Sequence, residues 1–125
     1  MNDKIAKQIE EMKKQTIGIE VEMNSITRQK AARVAAEFFG TGRYEYTAGR
    51  NGYETWSAWD EQGREWKMQK DVSIAMRMEL HGVPNDVCNL VVPAVIHSLH
   101  RVQYASLYRF QAILDIRDGS LKNYV

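Results

Sequence analysis

The sequence has little cysteine and little proline, with one cysteine and two prolines in 125 residues. A single cysteine, Cys88, cannot form an internal disulfide, which fits a reducing compartment. No neighbouring residue marks Cys88 as a thiolate, so we expect a buried small hydrophobe there and not a catalytic nucleophile. A chain of this length can bury a core without disulfides or structural metals.

Long hydrophobic runs and an excess of one charge are also missing. The longest strongly apolar run, Leu90 to Ile96, has seven residues and contains a proline, whereas a membrane-spanning helix needs about 20. The first residues, Met1 to Lys4, are too polar for the apolar core of a secretion signal. We therefore expect a cytoplasmic protein without a membrane partner. Seventeen basic residues against sixteen acidic ones argue against nucleic acid as a partner, because nucleic-acid surfaces normally carry a basic excess.

The most informative stretch runs from Thr16 to Asn24 and alternates with a period of two. One face would carry Gly18, Glu20 and Glu22, and the other would carry apolar side chains, as in a half-buried strand. The two carboxylates start about 7 Å apart, so both can reach one small cation. An acidic surface strand is the simpler interpretation of this spacing. Gly18 favours a ligand, because it leaves room for close approach on the same face.

Further elements follow from periodicity and turn residues. We predict a short helix over residues 3–14 and a second helix over Arg28 to Phe39, begun by Ser25 or Thr27 and ended by Gly40. Three aromatic runs between residues 42 and 70 predict an antiparallel meander, and residues 75–80 predict another strand. The apolar spacing from Val91 to Arg117 predicts a helix.

Two weaker patterns admit both a structural and a functional interpretation. His97 and His100 would share a helix face and could bind a metal, but surface histidines are the simpler explanation. The tyrosines and tryptophans of the meander could stack on bases. Aromatic packing within the sheet explains them without a basic surface.

Together these motifs resemble the amidoligase family of carboxylate-amine ligases, related to glutamine synthetase and glutamate-cysteine ligase. The resemblance covers about residues 16–75. It is carried by Gly-Ile-Glu-Val-Glu at 18–22, the alanine-rich helix, the aromatic hairpin, Trp66-Lys67 and Asp71-Val72-Ser73-Ile74. It implies an α+β fold in which a small, mainly antiparallel sheet packs against helices, as in an incomplete glutamine-synthetase-like ligase domain.

The resemblance also implies a chemistry and its residues. An ATP- and magnesium-dependent ligase would phosphorylate a small-molecule or peptide carboxylate, and an amine would then displace the phosphate. Glu20 and Glu22 would bind Mg²⁺, Lys67 would meet a phosphate, and Asp71 matches a family aspartate although Val72 replaces the usual glycine. Glu79 begins an altered form of the family's Glu-Leu-Val-Ser/Thr-Pro segment and is a further candidate metal ligand.

Periodicity and the resemblance together predict three regions: a helical leader at 1–15, an amidoligase-like β-α-β-β-β region at 16–80 and a divergent helical segment at 81–125. Its loss near Ala75 fits either a truncated gene product, which could be inactive, or a short divergent relative. The abruptness of the loss favours truncation. From another class, the alternative function is a non-catalytic α+β binding or interaction module that presents an aromatic surface.

Overall fold

The computed structural model describes residues 3–6, 16–47, 54–70, 76–103, 105–115 and 121–123, of which 3–6 are helical. The remainder of the predicted leader helix lies outside the described residues. In chain order the elements are β1 (Thr16–Asn24), α1 (Arg28–Phe39), β2 (Tyr44–Tyr46), β3 (Trp56–Trp59), β4 (Glu65–Gln69), β5 (Met76–Val83), a π-helical segment (Val87–Val91), α2 (Val92–Gln103), β6 (Ser106–Asp115) and β7 (Leu121–Asn123). The predicted α+β class is confirmed.

The described strands form one antiparallel sheet in the order β2-β3-β4-β5-β1-β6-β7. β1 is therefore an interior strand, with β5 on one side and β6 on the other. Its register with β5 opposes Glu20 to Glu79, and its register with β6 opposes Glu20 to Gln111. The glutamate strand thus lies where side chains from three strands meet.

Helix α1 begins and ends as the sequence predicts. Thr27 is the N-cap, and its hydroxyl accepts the backbone N–H of Lys30 at 3.2 Å. Gly40 adopts a left-handed conformation, with φ of 78°, and its N–H donates to the carbonyl of Glu37 at 3.1 Å. The helix buries its alanines, Ala31, Ala32, Ala35 and Ala36. Small side chains on this face let the helix lie close to the sheet.

The core lies between the helices and one face of the sheet. That face carries the buried side chains Ile19, Val21, Met23, Ala58, Trp66, Met68, Met76, Met78 and Leu80. The ring centroids of Phe39 on α1 and Trp66 on β4 are 4.9 Å apart. This aromatic contact packs the helix against the sheet. Cys88 is also buried, as expected, and burial raises the pKa of its thiol. Among the described residues, no helix has the length and apolar character that a membrane crossing requires.

The predicted meander is confirmed, and one turn of it is fixed by a buried carboxylate. Asp60 accepts backbone N–H groups from Gln62 and Arg64, the Arg64 Nε–H at 2.7 Å and the indole N–H of Trp66 at 3.0 Å. Burial is the largest single influence and raises the pKa of Asp60. The hydrogen bonds from Trp66 and Arg64, with the Arg64 charge, outweigh burial and hold this pKa below its ordinary value. The other predicted turn, at residues 49–52, lies outside the described residues.

The helix predicted over 91–117 is wrong beyond Gln103. Residues 106–115 and 121–123 are strands, so the helical character predicted for 81–125 holds only for its first part. From Arg109 to Ala112 the sequence alternates polar and apolar residues, as a strand does. A register shift at Tyr108 interrupts that alternation. Residues 106–115 form a strand because their backbone pairs with β1. This pairing joins residues far apart in the sequence, so the local pattern does not predict it.

We expect Asp60→Asn to lower the free energy of unfolding by about 1–3 kcal/mol, because buried donors lose a charged acceptor. The lowered pKa of Asp60 gives stability that is full above the ordinary value of 3.8 and is lost as pH falls through the folded-state pKa. The asparagine variant should therefore lose less stability in acid than the wild type. Urea unfolding at pH 7 and pH 3 measures both effects. Glu61→Gln, at an exposed neighbour, is the control, and equal destabilisation by the two variants would contradict the assignment.

Candidate functional site

On the sheet face opposite α1 and α2, eight polar residues on four neighbouring strands stand directly across from one another. Cross-strand pairing arranges them in two rows: Lys67, Glu79, Glu20 and Gln111 form the first row, and Gln69, Arg77, Glu22 and Arg109 form the second. We call these eight residues the polar grid. Each row runs across β4, β5, β1 and β6, and three carboxylates lie next to three cationic side chains. The two glutamates predicted from the spacing of β1 lie at its centre.

Glu20 and Glu79 are directly opposed on adjacent strands. Directly opposed like charges destabilise an antiparallel pair by some tenths of a kcal/mol up to about 1 kcal/mol. Both residues are half-buried, and the Glu79 side chain is only 15% exposed. A cation between the carboxylates would remove the repulsion.

Glu79 has a cationic or hydrogen-bonding neighbour at each carboxylate oxygen. Its Oε1 accepts from Nε2 of His81, and its Oε2 lies 3.7 Å from Nη2 of Arg77. The hydrogen bond from His81 is the largest influence on the pKa of Glu79, and the nearby charges of His81, Arg77 and Lys67 act in the same direction. These outweigh burial and hold the pKa below its ordinary value. Glu79 therefore stays ionised at neutral pH.

Glu20 and Glu22 have carboxylates that the rest of the described chain leaves open. Across the described ranges, no residue donates a hydrogen bond to either carboxylate or forms an ion pair with it. Half-buried carboxylates usually have a partner in the folded chain. These two are placed to accept one from a ligand.

Gly18 lies beside an irregularity in β5. Ile17 pairs with Val83 and Ile19 pairs with Leu80, so two residues of β5, His81 and Gly82, stand across from the single residue Gly18. Gly82 has φ of 68°, which favours glycine. Because of this bulge, β5 continues to Val83 although His81 and Gly82 are residues typical of a turn. It places His81 two residues beyond Glu79, on the same face.

A family model described as "Putative amidoligase enzyme" matches residues 13–95. The chain belongs to this family. No curated protein and no solved structure matches it. The family match extends past Ala75, where the sequence resemblance fades, and includes β5 with Glu79. It ends before β6, so Arg109 and Gln111 lie outside it.

Two further residues of this amidoligase-family chain were predicted to belong to the site, Lys67 and Asp71. Lys67 on β4 is opposite Ser57 on one side and Glu79 on the other. Its ammonium group therefore lies on the flank of the carboxylates. Asp71 falls in residues 71–75 and is outside the described residues.

The donor atoms of the grid suit Mg²⁺ in part. Within the described ranges, no group of three or more His, Cys, Asp or Glu side chains is arranged to hold a metal ion. Mg²⁺ usually takes only one or two protein carboxylates and completes its shell with phosphate and water oxygens. The opposed pair Glu20 and Glu79 meets that requirement, with Glu22 two residues along β1.

His97 and His100 lie away from the grid on α2. His97 is exposed, and Nδ1–H of His100 donates to the carbonyl of Ala105 at 2.9 Å. This bond satisfies a carbonyl just after the helix ends. A structural role therefore accounts for His100.

Five grid or neighbouring residues are not among the predicted site residues: Gln69, Arg77, Arg109, Gln111 and the neighbouring His81. Arg77 and His81 alternate with Glu79, and the period of the predicted strand at 75–80 could have indicated Arg77. Arg109 and Gln111 could not be found in this way, because their segment was predicted to be helical. Only the register of β6 with β1 brings them to the site.

We expect His81→Ala to raise the pKa of Glu79 toward its ordinary value of 4.5, because the hydrogen bond that lowers it most is lost. The Glu79 carboxylate stabilises the fold above that ordinary value, and this stability is lost as pH falls through the folded-state pKa. A ¹³C NMR titration of the glutamate carboxyl groups measures the pKa directly. His97→Ala should leave the Glu79 titration in place. An unchanged Glu79 pKa in the His81 variant would refute the assignment.

Proposed function

We propose that this chain binds ATP with Mg²⁺ at the Lys67, Glu79 and Glu20 positions of the polar grid and forms an amide bond between a carboxylate and an amine. The observation that carries the proposal is the opposition of Glu20 and Glu79, in an amidoligase-family chain, on the sheet face opposite α1 and α2. In the proposed reaction a carboxylate oxygen takes the γ-phosphoryl group and ADP leaves. The amine nitrogen then attacks the carbonyl carbon, inorganic phosphate leaves, and a proton is released from the nitrogen.

The grid residues divide this work by charge. Glu20 and Glu79 would hold Mg²⁺, which would neutralise charge on the phosphates during transfer. Glu22, the other ligand that the resemblance implies, lies two residues along β1 and stays a proposal from sequence. Lys67 would meet a phosphate oxygen on the β4 side of the carboxylates. Asp71 keeps the catalytic role that the family resemblance implies, as a proposal from sequence alone.

Local electrostatics support this division. The described grid has equal numbers of acidic and cationic side chains, so a bare cation and a bare anion would each meet both attraction and repulsion. A metal-nucleotide complex presents both charges at once, and it can place the cation at Glu20 and Glu79 and the phosphates near Lys67. Half-burial strengthens these interactions relative to bulk water.

The aromatic residues give less support to a non-catalytic binding module. The ring of Trp56 lies 6.2 Å from that of Tyr44 and 5.5 Å from that of Tyr46, and Arg43 stacks on Trp59 at 4.4 Å. These rings pack against one another or against a neighbouring cation, as aromatic pairs across strands do. Their packing explains the aromatic runs without a stacked ligand.

The nucleotide proposal is tested by calorimetric titration of the chain with AMPPNP, with and without Mg²⁺. We expect magnesium-dependent binding that weakens at least about tenfold in Glu20→Gln and in Glu79→Gln, because each variant removes a charged ligand. Glu37→Gln, at an exposed position on α1, is the matched control. Nucleotide binding that is absent, or that does not depend on Mg²⁺ and on these glutamates, would overturn the proposal.

Turnover is measured separately, because nucleotide binding alone does not establish the ligase reaction. Hydroxylamine converts acyl phosphates to hydroxamates, so it can serve as the amine in a panel of carboxylates with ATP. Hydroxamate formation that depends on Glu20 would establish the ligase reaction. Nucleotide binding without hydroxamate or ADP would indicate a chain that binds the nucleotide but lacks the rest of the reaction.

A further inference from the structure

Strand β6 extends the polar grid beyond the family match. Arg109 is opposite Glu22 and Gln111 is opposite Glu20, whereas the match ends at residue 95. The family assignment therefore gives these two residues no role. Both lie on the open face of the sheet, beside the carboxylates of the proposed metal site.

The register shift in β6 sets Arg109 on this face. Glu22 pairs with Arg109 and Met23 pairs with Leu107, which leaves Tyr108 as an extra residue between them. Leu107 can then share the apolar face with Met23 while Arg109 stays on the polar face. Such bulges commonly direct a side chain at a binding site.

Arg109 is exposed, and its guanidinium is not used within the described part of the chain. It forms no ion pair or hydrogen bond with any described residue, although a carboxylate is directly across from it. Arg77, on the other side of Glu22, is directed toward β4, where its Nη2 donates to Oε1 of Gln69 at 2.9 Å. The planar fork of Arg109 is thus available to a carboxylate or phosphate.

The two rows of the grid differ in charge. The row with Glu20 has two glutamates and Lys67, and the row with Glu22 has two arginines and a single glutamate. The first row favours a cation and the second favours an anion. Neighbouring rows are about 7 Å apart along the strand. A diacid of about five carbons can bridge this distance, given the length of the arginine side chain.

We propose that Arg109 binds a second, non-reacting carboxylate of the substrate, so that the substrate is a dicarboxylic acid or an acidic amino acid. The inference rests on the proposed function for the reacting carboxylate, which would lie at the row of Glu20 and Glu79. Arg109 is then a residue that determines substrate specificity. A charge-assisted, two-pronged contact also explains why this position has a long cationic side chain beside the metal-binding row.

The test compares glutarate with valerate, which has the same number of carbons and one carboxylate. Calorimetry or ligand-detected NMR gives their affinities for the full chain, with and without Mg²⁺ and AMPPNP. We expect wild type to bind glutarate at least about tenfold more tightly than valerate. Arg109→Gln should abolish this preference and keep the affinity for Mg²⁺-AMPPNP, and Arg109→Lys should restore part of it. Arg33→Gln, at an exposed arginine on α1, should change neither affinity.

Four results would overturn the inference. Wild type could bind both acids equally, Arg109→Gln could keep the preference, or Arg109→Gln could lose nucleotide affinity in step with glutarate, which would assign Arg109 to a phosphate. Inorganic phosphate that competes with glutarate only in the presence of Arg109 would likewise indicate a general anion site and not a carboxylate site. Glutarate binding that depends on Arg109 without any nucleotide binding would keep this inference and reject the nucleotide proposal.

Discussion

The structure depends most on the antiparallel pairing of β1 with β5, which sets Glu20 directly against Glu79. Like charges on directly opposed residues destabilise the sheet. His81 and Arg77 reduce this effect at Glu79, because they contact its carboxylate. Glu20 has no such help from the described residues. A cation between the two carboxylates would remove their repulsion, and this links the strand pairing to the function that we propose.

The apolar packing on the opposite face of the same strands offsets the repulsion between Glu20 and Glu79. Methionines, alanines and Trp66 fill the layer between sheet and helices, and the caps of α1 fix its ends. The Asp60 network ties the turn of the meander to the buried indole. A face stabilised in this way can hold polar side chains on its other side at defined cross-strand positions, which is what a preorganised site needs.

Local sequence pattern predicted several elements of the fold, but it did not predict the cross-strand contacts of the candidate site. The period of β1, the caps of α1 and the turn at residues 60–63 are encoded within a few neighbouring positions, and the structure confirms them. The opposition of Glu20 to Glu79 depends on strand register, which pairs residues far apart in sequence. Strand β6 was missed because its bulge breaks the alternation and because the edge of β1 that it pairs with is not a local signal. Arg109 and Gln111 were missed with it, whereas Asp71 lies outside the described residues.

The central claim is that Glu20 and Glu79 form a cation-binding pair, and magnesium-dependent stability tests it most directly. A cation that binds only the folded chain raises the free energy of unfolding by about 1.4 kcal/mol at ten times its dissociation constant. We predict that urea unfolding in the presence of AMPPNP shows such an increase with Mg²⁺ for wild type and little or none for Glu20→Gln. Equal stability with and without Mg²⁺ in wild type, or the same increase in Glu20→Gln, would contradict the account.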